Sequence, residues 1–162
     1  MKRTPPQKAQ SLTMRSIFRY MMEEGYYPVY EHTHIQFDID DSTAVIEYDE
    51  GILSVRLFFS IDEDAYDLFI EASNMTMMQT YAIKPVVLDD MKNLMFSCEI
   101  MCDTLREFRK FLPRTIERLT KALYVHKEEM RKLIIANEVA SATIPANEDS
   151  MTGIVKRNKM FS

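Results

Sequence analysis

A chain of 162 residues with 46% hydrophobic and 28% charged side chains is long enough for one globular domain with a sizeable core. Its three glycines leave no G-x-G-x-x-G or Walker A loop, and its two cysteines cannot build a disulfide framework or a four-thiolate zinc site. No run of about eighteen apolar residues offers a membrane span, and the basic start MKRTPPQKAQSLTMRS leads into no signal-like apolar stretch, so a cytoplasmic protein without membrane contact is expected.

The first segment, SLTMRSIFRYMMEEG, places Leu12, Met14, Ile17, Phe18, Met21 and Met22 at helical spacing. Ser11 or Thr13 can cap its start, Gly25 suits the left-handed position after its last turn, and Pro28 prevents it from resuming. Period-two alternation follows: Ile35, Phe37 and Ile39 on one face, then Ala44, Ile46 and Tyr48, a tight turn at Gly51, and Leu53, Val55, Leu57 and Phe59. These residues predict a three-stranded antiparallel meander with one buried face.

Ser60 or Asp62 can cap a second helix with Ala65, Leu68, Phe69, Ala72 and Met75 or Thr76 as its packed stripe. TYAIKPVVL and LMFSCEIMC, joined by DDMKN, predict a hairpin, with Cys98 and Cys102 turned inward. In one strand they would lie about 13 Å apart, too far for a disulfide, and are read as buried, inert thiols.

A long helix begins near Asp103 or Thr104, with Pro113 either kinking it or marking the first turn of its longer half. Its stripe of Leu112, Ile116, Leu119, Leu123, His126, Met130 and Leu133 can pack on the sheet or against the same helix of a second copy. Residues 1–11 and 137–162 read as flexible tails around a single α+β domain at 12–136, with a sheet of about five strands.

The net charge of −5 is unevenly distributed: residues 12–103 carry five Lys+Arg against eighteen Asp+Glu, whereas residues 104–136 carry nine against four. This pattern suggests a basic helix lying against an acidic body, within the chain or across a dimer. Nucleic acid is not the expected partner, since the body is acidic and the basic residues are not interleaved with stacking aromatics.

His32 and His34 could share a metal if one strand carries both, with Glu31, Asp38 or His126 as a third ligand. A solvent-facing pair is the preferred reading. His126 is read as a histidine at the edge of the core. The cluster DIDD lacks the central Gly and terminal Glu of an EF-hand loop and is read as a turn. No Ser, Cys or Lys has a general base at motif spacing, so neither catalytic residue nor cofactor is expected.

Thirteen methionines are read first as flexible fillers of core gaps, and they leave another possibility. Met75, Met77 and Met78 on the second helix, with Met95 and Met101 on the strand face opposite the core, would suit an adaptable surface for a partner protein or peptide segment.

The stretch FRYMMEEGYYPVYEHTHIQFDIDDSTAVIEYDEGILSVRLFFSID, continued by FIEASNMTMMQTYAIKPVVLDD, resembles the YbjN family of bacterial proteins, within the type III secretion chaperone-like fold. The likeness extends over roughly residues 12–133 and is one of pattern. It implies helices packed on an antiparallel sheet, a tendency to homodimerise and to bind extended segments of other proteins, and a regulatory label. The expectation is therefore a non-enzymatic, chaperone-like or regulatory binding module. The alternative is a small-ligand or metal-dependent sensor or enzyme using the His32/His34 face.

Overall fold

A computed structural model describes residues 11–142. The proposed tails at 1–10 and 143–162 lie outside the described residues.

Helix α1 (Met14–Glu23) starts at a reciprocal cap: the Ser16 N–H donates to Thr13 Oγ1 at 3.1 Å, while the Thr13 N–H donates to Ser16 Oγ at 2.9 Å. It ends as Gly25 turns left-handed at φ +81°. The N–H groups of Gly25 and Tyr26 donate to the Met22 and Met21 carbonyls, closing the end in a Schellman arrangement. Ile17, Tyr20 and Met21 form its buried face; Met22, expected inside, is 51% exposed.

Six strands follow: β1 (Val29–Glu31), β2 (His34–Ile39), β3 (Ser42–Asp49), β4 (Ile52–Ser60), β5 (Lys84–Val87) and β6 (Asn93–Met101). They form one antiparallel sheet in the order β1-β2-β3-β4-β6-β5. The class is the α+β expected, but the sheet has one strand more than the five expected and the meander is four-stranded. The additional β1 is three residues long and exposed throughout, so it carries no alternation from which to read it.

One face of the sheet is buried, carrying Ile35, Phe37, Ala44, Ile46, Leu53, Val55, Leu57, Leu94, Phe96 and Cys98. Fully burying one large aliphatic or aromatic side chain contributes about 1.5–3 kcal/mol, so this face accounts for much of the fold's stability. The β3–β4 turn places both Glu50 and Gly51 at positive φ, as a two-residue hairpin turn of the primed type requires. A Cβ added at Gly51 would also stand 2.9 Å from Asp103 Oδ1. Gly51→Ala should therefore cost about 1–3 kcal/mol in urea denaturation; an unchanged midpoint would show that the turn relaxes freely.

A short 3₁₀ turn (Glu63–Ala65), whose Asp62 cap accepts the Asp64 N–H at 3.0 Å, leads into α2 (Tyr66–Gln79). Ala72, Ser73 and Thr76 are its buried positions, a more polar stripe than the spacing predicts. The final helix α3 runs from Leu105 to Ala142. Glu107 Oε2 accepts hydrogen bonds from the Asp103 N–H, Thr104 N–H and Thr104 hydroxyl at 2.9–3.1 Å, which hold its carboxyl below the usual range and cap the helix.

Pro113 lies inside α3, where a proline costs about 3 kcal/mol in an isolated helix. Burial of Phe108, Leu112, Thr115 and Leu119 on either side holds the helix together. Residues 137–142, expected to begin the tail, are helical.

The α3 stripe packs on the sheet and on α2. Its basic residues do not pair with the acidic body: among the described residues, the ion pairs of α3 are the local Arg131–Glu128 and Lys132–Glu129 contacts. Arg109 instead lies 5.1 Å over the Tyr20 ring, which meets Phe108 edge-on. Cys98 and Cys102 are free and buried; burial pushes both thiols up, Cys102 to about 11. No helix among the described residues is long and apolar enough to cross a membrane.

Candidate functional site

His32 and His34 do not share a strand. His32 stands at the tip of the β1–β2 hairpin at φ +36°, and His34 is the first residue of β2. The turn between them removes the same-face geometry on which a shared metal would depend. His34 Nε2 lies 2.9 Å from Gln36 Nε2 instead. Among the described residues, no three His, Cys, Asp or Glu side chains converge as a metal site.

The five methionines are not brought together. Met75, Met77 and Met78 are 40%, 50% and 82% exposed on α2, which sits over the core face of the sheet. Met95 and Met101 stand on the other face, as strand parity predicts, but six residues apart on β6, about 20 Å along an extended strand. Met95 aligns with Phe58 and Val86, and Met101 with Ile52.

Between these two apolar ends runs a charged band. Arg56 contacts Glu47 at 2.7 Å and Glu99 at 4.0 Å, and Lys84 contacts Glu99 at 3.0 Å. Exposed pairs of this kind contribute about 0–1 kcal/mol each, but they interrupt any continuous apolar patch.

A mainly apolar opening lies on the helical side. The end of β4 (Phe59, Ser60), Ile61, Phe69 of α2, Leu94 of β6 and the α3 run from Leu123 to Ile135 enclose a groove of about 410 Å³. It lies where the end of β4, α2 and the C-terminal half of α3 meet. Ile134 and Ile135 remain 43% and 48% exposed at its rim.

His126 belongs to this wall and is only 3% exposed. Its ring stacks on Phe69 at 6.0 Å and meets the edge of Phe96 at 5.4 Å. Burial pulls its pKa below the usual imidazole range, while a hydrogen bond with the Phe69 backbone acts in the opposite direction. The structure thus places His126 deeper than the core edge expected from sequence.

Ser73 Oγ lies 3.2 Å from His126 Nε2, a serine–histidine contact between residues far apart in sequence. A nucleophile must reach its substrate, however, and Ser73 is 5% exposed and does not line the groove. The pair instead joins α2 to α3. A second such tie is the hydrogen bond from Gln79 Nε2 to Glu129 Oε1 at 3.0 Å. Lys132 and Gln79 together hold the Glu129 carboxyl below its ordinary range.

Comparisons with known proteins agree with this architecture. Neither a protein-family model nor a curated protein matches the chain. Among solved structures it is similar to YbjN from E. coli, named as a candidate transcription regulator, with a TM-score of 0.62 at 8% identity over 75% of this chain and 94% of that one. The chain has a YbjN-like fold. An uncharacterized protein from Methanothermobacter thermautotrophicus shares it, with a TM-score of 0.55 at 14% identity over 75% of this chain and 98% of the other. At such identities the YbjN likeness is one of fold, and no site residue transfers with it.

Proposed function

We propose that this YbjN-like domain is a non-enzymatic protein-binding module whose groove between α3, α2 and the β4 end accepts apolar side chains of a partner segment. The observation that carries the reading is the groove itself: a concave apolar surface within the 300–1,000 Å³ range of ligand pockets, with Ile134 and Ile135 exposed at its rim. The histidine on its wall serves helix packing, with His126 Nε2 3.2 Å from Ser73 Oγ. The groove therefore replaces the dispersed methionines as the place to look for a partner.

Affinity capture of the tagged full-length protein from lysate, read by mass spectrometry, tests this. Ile134→Asp combined with Ile135→Asp should remove a stoichiometric partner while changing stability by no more than surface substitutions do, about 0.5 kcal/mol each. Met101→Glu, at an 82% exposed position on the other face, should retain it. Loss of the partner in Met101→Glu but not in the isoleucine variant would assign binding to the outer face instead.

A further inference from the structure

We infer that the segment taken by this groove is acidic as well as apolar, an amphipathic peptide whose carboxylates face α3; this rests on the groove reading above. The chain as a whole is anionic at −5, yet the formally charged side chains lining the groove are both cations, Lys127 and Arg131. Lys127 makes no ion pair among the described residues. Arg131 directs Nη2 to Glu128 at 2.9 Å, leaving other guanidinium donors free for a partner.

Local and global charge thus oppose each other, and screening decides between them. At physiological ionic strength the Debye length is about 8 Å, so a bound segment responds mainly to the side chains on the groove wall. The opposite lip, at Ser60 and Ile61, leads directly into Asp62, Glu63 and Asp64. Lys92 pairs with Glu63 there at 3.0 Å, which leaves Asp62 and Asp64 as the excess charge on that side; a carboxylate beside them meets like charge, whereas one against α3 meets Lys127 and Arg131. The groove consequently selects both the composition and the orientation of its occupant.

The test uses the full-length protein and two fluorescent amphipathic peptides of about 12 residues, each with leucines at helical spacing. One carries glutamates beside the leucines and the other carries lysines. The glutamate peptide should bind about tenfold more tightly at low salt, with the advantage shrinking as salt rises. The Lys127→Glu/Arg131→Glu variant should reverse the order, and Lys127→Gln/Arg131→Gln should abolish the preference; melting curves verify that each variant is folded.

Equal affinity of the two peptides, with both lost in Ile134→Asp/Ile135→Asp, would overturn the charge preference and leave the groove reading standing. Tighter binding of the lysine peptide would overturn the inference outright. Binding of neither would overturn the groove reading and this inference together.

Discussion

Phe96→Ala should destabilise the domain by about 3–5 kcal/mol, the range for an aromatic ring deleted from a packed core. Phe96 is fully buried on β6, aligned with Leu57 on one neighbouring strand and Pro85 on the other. It meets Phe59 edge-on at 5.8 Å and His126 at 5.4 Å, so its loss opens a void beneath α3 and the groove floor together. Guanidinium denaturation of this variant and of Met95→Ala would measure the difference. The neighbouring methionine faces the other way and should cost far less; equal losses would mean that the outer face carries a packed layer of its own.

His126→Ala should cost about 3 kcal/mol, by leaving a cavity and by depriving the Ser73 hydroxyl of its partner. The same histidine predicts a pH dependence. Its folded pKa lies below the usual 6.5 because of burial. As pH falls through about 6.5, an unfolded chain takes up a proton there while the folded chain does not. Stability is therefore full above that pH and declines on acidification until the folded pKa is reached.

The carboxyls of Glu129, Glu107 and Asp90 are likewise depressed, through hydrogen bonds, but starting from lower ordinary values. Their losses begin at more acidic pH. His126→Gln can still hydrogen-bond but cannot titrate, so its stability profile should be flatter than wild type just below neutrality and parallel to it in stronger acid. Identical profiles would remove His126 as the source of the dependence.

Much of the fold was legible because local chemistry and tertiary packing agree. Gly25 and Pro28 end α1, the period-two runs through Phe37, Ile46 and Val55 give three strands, and the stripe from Leu112 to Met130 gives the long helix. The failures have physical causes. β1 is too short and too exposed for its side chains to record a buried face. Residues 137–142 no longer follow the helical apolar spacing, yet they extend a helix already nucleated, which requires far less than starting one.

The groove was not legible at all. Phe59, Phe69, Leu94 and Met130 each look like ordinary core residues, and only the offset between α3, α2 and the sheet end leaves the space among them open. The Ser73–His126 contact depends on that same helix placement, and no sequence spacing signals it. The methionines gave a true parity on β6 but no cluster, since alternation identifies a face and says nothing about which strands bring such faces together.

The two rims of the sheet also govern how the molecule behaves in a crowded solution. A long, bare strand at a rim would offer its backbone to any passing chain and seed fibres. Here one rim is β1, with three residues, and the other is β5, with four, one of them Pro85, which has no N–H to donate. Neither rim can template much new ladder. Backbone pairing with another chain is thus limited to a few residues at either rim, which works against association through the sheet edges.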